Sequence, residues 1–187
     1  MRNVRVATIQ MQCAKDVATN IQTAERLVRQ AAEQGAQIIL LPELFEHPYF
    51  CQERQYDYYQ YAQSVAENTA IQHFKVIAKE LQVVLPISFY EKDGNVLYNS
   101  IAVIDADGEV LGVYRKTHIP DDHYYQEKFY FTPGNTGFKV WNTRYAKIGI
   151  GICWDQWFPA TARCLALNGA DLLFSPTAIG SEPILDT

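Results

Sequence analysis

The chain lacks any apolar run approaching the roughly 20 residues that a membrane-spanning helix needs, and its opening segment carries charge without the apolar stretch of a secretory signal. A soluble, cytoplasmic protein with no membrane partner is the expectation. Basic charge is also short, with 16 Lys and Arg against 21 Asp and Glu, a formal net charge of −5. That balance removes the electrostatic attraction behind general nucleic-acid binding and is compatible with small cationic partners. Cysteine is sparse: Cys13, Cys51, Cys153 and Cys164 form no C-x-x-C pair, and His47, His73, His118 and His123 offer no closely spaced ligand pair. Neither a metal site nor a dithiol redox centre is expected, and the cysteines read as thiols. What is present, 187 residues that are 48% hydrophobic and 13% aromatic, suits one folded α/β domain.

Residues 4–10 read as a strand, and 20–34 places Ile21, Ala24, Leu27, Val28 and Ala31 at helical spacing, with Gly35 ending the helix. Residues 38–41 form a continuous apolar run, as in a strand covered on both faces, and Pro42 stops it. A tyrosine-rich stretch, 49–61, has no clean period. Helix 69–81 and strand 83–87 follow. Asp93-Gly94 and Asp107-Gly108 signal turns that bracket strands 96–104 and 109–114. Residues 116–140 are irregular, aromatic and rich in Pro and Gly, as in a functional loop. Then come a β-rich run at 147–152, a helix over 158–167 that Asn168-Gly169 ends, and a strand at 171–174. Residues 35–42 and 169–176 match in residue type at nearly every step, which suggests two similar αβ units in one layered fold.

Three places carry candidate chemistry. Gly149-Ile150-Gly151-Ile152-Cys153-Trp154-Asp155 is a β-run ending in cysteine ahead of a helix, the strand-to-helix turn of a nucleophile elbow. The helix start is expected to favour a thiolate, and the Trp154 N–H would face a developing oxyanion. Glu43 sits just past a buried strand, where desolvation suits a general base. Lys116 also follows a strand, where an ammonium could stabilise an oxyanion. Each has a plain reading as well: Cys153 as a small buried apolar residue, Glu43 as a solvated carboxylate, Lys116 as a surface lysine.

Taken together, Leu41-Pro42-Glu43-Leu44, Arg115-Lys116-Thr117-His118 and Gly151-Ile152-Cys153-Trp154-Asp155 resemble the three signature segments of the nitrilase, or carbon-nitrogen hydrolase, superfamily. The resemblance spans nearly the whole chain and is strongest to the N-carbamoylputrescine amidohydrolases, with further support from 43–46, 49–52, 125–131 and 177–183. It implies an α/β fold forming part of a four-layer αββα sandwich, with 1–187 as a single carbon-nitrogen hydrolase domain whose C-terminal portion is missing. It also implies that Glu127 is a second glutamate holding Lys116 and the substrate carbonyl in register. Loop 121–125 stands where relatives show glycines and a proline.

The implied reaction needs no cofactor and no metal. Glu43 would take the Cys153 proton, the thiolate would attack a ureido carbonyl, and Lys116 with the Trp154 N–H would stabilise the oxyanion. The implied partner is a small cationic carbamoyl substrate, with Glu182 pairing its ammonium and Tyr125 forming an aromatic wall. A homo-oligomer is expected. Two alternatives stand beside this one: another amidase of the superfamily acting on a ureido acid, an ω-amide or a nitrile, and a truncated non-catalytic scaffold.

Overall fold

The computed structural model describes residues 3–179. Strand β1 (Val6–Thr8) pairs in parallel with β2 (Ile38–Leu40) through helix α1 (Val17–Glu33). Helix α2 (Thr69–Leu81) leads into an antiparallel meander of β3 (Leu85–Asp93), β4 (Val96–Ile104) and β5 (Val110–Arg115). A parallel bridge between Ile38 and Val84 joins β2 to the start of β3, so the five strands form one layer. Strands β6 (Val140–Asn142), β7 (Lys147–Ile150) and β8 (Leu172–Phe174) form a second sheet, with α3 (Pro159–Leu167) between β7 and β8.

Alternation in the strands sorts the core into two. Ala102 and Ile104 of β4 join Ile39, Ile87 and Phe89 against Val28 of α1 and Phe74 and Ile77 of α2. Ile101 and Val103, on the opposite face of β4, pack with Ile38, Tyr114, Ile148, Ile150 and Phe174 between the sheets. Helix α3 covers the far side of the second sheet, where a Cβ on Gly149 would stand 3.0 Å from Leu165. The order helix, sheet, sheet, helix is the αββα layering expected. Among the described residues no helix is long and apolar enough to cross a membrane.

The repeated segment is a repeated structure. Gly35 (φ +84°) and Gly169 (φ +88°) both end a helix in the left-handed region that glycine adopts without strain. Their neighbours bond alike: Gly35 N–H to Ala32 O (2.8 Å) and Ala36 N–H to Ala31 O (3.0 Å), against Gly169 N–H to Ala166 O (2.9 Å) and Ala170 N–H to Leu165 O (3.1 Å). The strand that follows each is parallel to the one before its helix. Pro42 and Pro176 therefore close equivalent strand ends, and the residues after them meet in space.

Several boundaries move. Helix α1 starts at Val17 because the Asp16 carboxylate caps it through Thr19 N–H (2.8 Å). Strand β3 runs on to Asp93 because its whole length pairs with β4, Asp93 opposite Val96. The region read as irregular ends in β6, whose three residues gain their strand geometry from pairing with β7. The tyrosine-rich stretch forms two short 3-10 turns, Phe50–Gln52 and Tyr56–Tyr61, packed against Tyr90, Tyr130 and Phe131.

Candidate active site

Ser100 lies opposite Arg115 in the β4–β5 register, so the next pair brings Lys116 beside Asn99, whose carbonyl accepts the Lys116 N–H at 2.8 Å. Lys116 and Asn99 share the inter-sheet face with Tyr114 and Ile101. Glu43 follows β2 and Pro42, and Leu44, at φ +51°, turns the chain there with its N–H on Ser88 Oγ (3.0 Å). The ammonium of Lys116 meets Glu43 Oε1 at 2.8 Å and both oxygens of Glu127 at 2.9 and 2.8 Å. Lys116 and Glu127 are fully buried and Glu43 is 3% exposed, which removes the surface-lysine and solvated-carboxylate readings.

Further donors complete the cluster. Asn99 Nδ2 donates to Glu43 Oε1 (2.7 Å), Ala178 N–H to Glu43 Oε2 (2.9 Å), and the Tyr49 hydroxyl to Glu127 Oε1 (2.6 Å). Cys153 opens a 3-10 turn, Cys153–Trp157, at φ +46°, with its N–H on Pro176 O (2.8 Å). A non-glycine residue held in the left-handed region stores strain that the surroundings must enforce. Here Gly151 allows it, since a Cβ there would lie 2.8 Å from Thr161 Cγ2 of α3. Asp155, fully buried, accepts from Ile152 N–H (2.9 Å) and so fastens the turn from below.

Two buried carboxylates share one ammonium, and the charges follow from that count. Burial alone would lower Lys116, yet Glu43 and Glu127 outweigh it and hold it above its ordinary value. Glu127 is raised, by burial first, against the pull of Lys116. Burial pushes the Cys153 thiol up to about 12, with the Glu43 charge adding, Lys116 opposing, and a hydrogen bond to Glu43 holding the proton. Against the thiolate that a helix start would favour, burial keeps Cys153 a thiol beside Glu43, the turn being too short to supply much dipole.

A cavity of about 580 Å³ opens at Glu43, walled by the chain after β1, by Tyr49 and Tyr125, and by 175–179. Tyr125 lines this cavity, its ring 5.9 Å from that of Tyr49. Glu43 is the only carboxylate among the described lining residues. The Trp154 N–H lies ahead of the turn's first backbone bond, Asp155 N–H to Ile152 O at 3.0 Å, where a helical turn leaves donors unused. Glu182 lies outside the described residues. Sequence reasoning gave no role to Asn99, Tyr49 or Asp155. The signal for Asn99 was a polar residue at an apolar position in the alternation Asn99, Ile101, Val103; Tyr49 was hidden among aromatics.

Comparison with known proteins agrees with this geometry. The carbon-nitrogen hydrolase family matches residues 5–183. An N-carbamoylputrescine amidase of Solanum tuberosum is 58% identical over 97% of this chain and 61% of its own length. A citrullinase of Francisella tularensis subsp. tularensis is 53% identical over 99% of this chain and 65% of its own. The chain thus spans under two thirds of the length of these relatives. A carbon-nitrogen hydrolase from Helicobacter pylori G27 superposes with a TM-score of 0.89 at 36% identity, covering 95% of this chain and 61% of that one. The chain belongs to the carbon-nitrogen hydrolase family.

Proposed function

We propose that the protein hydrolyses N-carbamoylputrescine to putrescine, ammonia and carbon dioxide. The observation that carries this reading is the buried Glu43–Lys116–Glu127 cluster set against the Cys153 thiol, and the N-carbamoylputrescine amidase relatives support the substrate. Glu43 takes the thiol proton as sulfur attacks the ureido carbonyl, so that no free thiolate is needed at rest. The oxyanion is met by the Trp154 N–H and by Lys116, whose three hydrogens rest on Glu43 and on both oxygens of Glu127, so that one of the two bonds to Glu127 gives way to the substrate. Glu43 returns its proton to the nitrogen that leaves, giving a carbamoyl thioester on Cys153. Water, activated by Glu43, then releases a carbamic acid that loses carbon dioxide.

Glu43 is committed to Lys116, Asn99 and Ala178, so a substrate ammonium needs another carboxylate. Glu182, three residues beyond the wall residue Ile179, is our candidate, and Tyr125 lines the alkyl chain. Citrulline is the second reading, supported by the Francisella relative. A homo-oligomeric enzyme belongs to the same proposal, supported by the exposed Trp157, two residues ahead of α3, and Leu167, its last residue, and so does a cytoplasmic location; light scattering checks the first and fractionation the second.

The test is kcat/KM of the whole protein for N-carbamoylputrescine, citrulline and an ω-amide, together with Glu43→Gln and Lys116→Ala, each of which should lower kcat on the order of 10²-fold or more. Preference for citrulline or the amide would reassign the substrate, and parent-like activity of either variant would remove that residue from the chemistry.

A further inference from the structure

The face of β4 that meets the second sheet reads Asn99, Ile101, Val103, and all three are fully buried. Packing alone calls for an apolar side chain at the first position. Asn99 instead turns its amide to Glu43, with Nδ2 2.7 Å from Oε1. An ionised carboxylate only accepts, so this contact forces the amide's orientation. Asn99 Oδ1 is then left with no hydrogen-bond partner among the described residues. A buried acceptor that goes unpaired is a cost to the fold, which a leucine of similar volume would not carry.

Every group facing Glu43 bears on what that contact does. Lys116, from the end of β5, reaches Oε1 but divides its charge with Glu127; the Ala178 N–H reaches Oε2; the Cys153 thiol faces it from the elbow. Glu127, whose own carboxyl is raised by burial, adds repulsion in its ionised form, and the Tyr49 hydroxyl and Cys51 thiol lie within reach of the same charge. The amides of Asn99 and Ala178 are the neighbours whose donors are not shared with a second carboxylate.

We propose that Asn99 is a positioning residue for Glu43, holding its carboxylate fixed beside the Cys153 thiol at the expense of stability. This rests on the reading of Glu43 as the base. Replacing a donor that favours the ionised form makes the base easier to protonate, so the acidic limb of the rate profile must move upward in pH. A side chain kept only for packing would show no such displacement.

The experiment compares the parent protein with Asn99→Leu, and with Ser100→Ala as a control. Ser100 is the next residue on β4, equally buried, and binds Glu91 at 2.5 Å on the other face. Two readouts are taken: the pH profile of kcat for N-carbamoylputrescine, and the pH profile of Cys153 alkylation by iodoacetamide, followed by peptide mass spectrometry. For Asn99→Leu we expect kcat to fall roughly 10- to 100-fold with little change in KM, the acidic limb of both profiles to rise by about 0.5–1 pH unit, and Tm to hold or rise. For Ser100→Ala we expect a lower Tm and unshifted profiles. Asn99→Ala, read by alkylation at low temperature, repeats the test if the leucine variant does not fold. Parent-like alkylation profiles in both Asn99 variants would overturn the proposal. If the parent turns over none of the substrates, the proposed function fails, while the alkylation comparison still decides the role of Asn99.

Discussion

Asp155 and His118 are joined twice: Asp155 Oδ1 accepts both the backbone N–H of His118 (2.9 Å) and its Nδ1 (2.7 Å). Oδ2 accepts from Ile152 N–H (2.9 Å) and the Tyr114 hydroxyl (2.7 Å). One carboxylate therefore ties the residue before Cys153 to segments two residues either side of Lys116. The His118 ring lies flat on Phe158, centroids 3.6 Å apart, which closes the arrangement onto the start of α3. This junction links the turn that carries the nucleophile to the strand end that carries the ammonium.

Asp155→Asn should break it. An amide nitrogen in place of either oxygen faces a backbone N–H, of His118 or of Ile152, that cannot accept, so one bond is lost and a buried donor left unpaired whichever way the amide turns, for a loss of about 1–3 kcal/mol. We expect a lower Tm and a kcat reduced on the order of 10²-fold with KM less affected, measured by thermal melts and steady-state kinetics. Parent-like kcat would show that the junction does not set the geometry of the site.

Gly151→Ala should be disruptive for a steric reason. Its Cβ would meet Thr161 Cγ2 at 2.8 Å and Asp155 Cβ at 3.3 Å, and a threonine in a helix has little rotamer freedom with which to yield. We expect a destabilisation of about 1–3 kcal/mol. Adding Thr161→Ser, which removes the methyl and keeps the hydroxyl, should recover much of the loss in denaturant melts. A double variant no more stable than Gly151→Ala would contradict this packing account.

Much of this was readable from the sequence. Gly35 and Gly169 with their following apolar runs marked both αβ units, Asp93-Gly94 marked a hairpin, and the two glycines before Cys153 marked an elbow; each is a local steric signal. What could not be read depends on register and burial. That Asn99 stands beside Lys116 follows from the β4–β5 register, including a bulge at Val103 and Ile104, and no short window of sequence holds that information. Glu127 was named by resemblance alone, since a carboxylate in an aromatic loop shows no sign of the lysine it will meet. The helix start after Cys153 is visible in the sequence, whereas the burial that holds the proton on its sulfur is a property of the assembled layers.

Glu46 gives a pH-dependent prediction away from the chemistry. It is 6% exposed, its carboxylate meets Asn68 Nδ2 at 3.1 and 3.0 Å, and burial pushes it up to about 7. A carboxyl that holds its proton more tightly folded than unfolded makes the protein lose stability as pH rises between about 4.5 and 7. Glu46→Gln cannot titrate and still offers Asn68 an acceptor. Its stability relative to the parent should therefore improve from pH 4 to pH 8, by on the order of 3 kcal/mol in denaturant melts. A constant difference across that range would show that Glu46 holds its proton no more tightly in the fold than in the unfolded chain.

The measurement that bears most directly on the whole account is peptide mass spectrometry of the protein quenched in acid during turnover of N-carbamoylputrescine. The account predicts a carbamoyl-type adduct on Cys153 and on no other cysteine, absent from Cys153→Ala, whose kcat should fall on the order of 10⁴-fold or more. Undiminished turnover by Cys153→Ala, or an adduct on Cys13, Cys51 or Cys164 in its place, would contradict it.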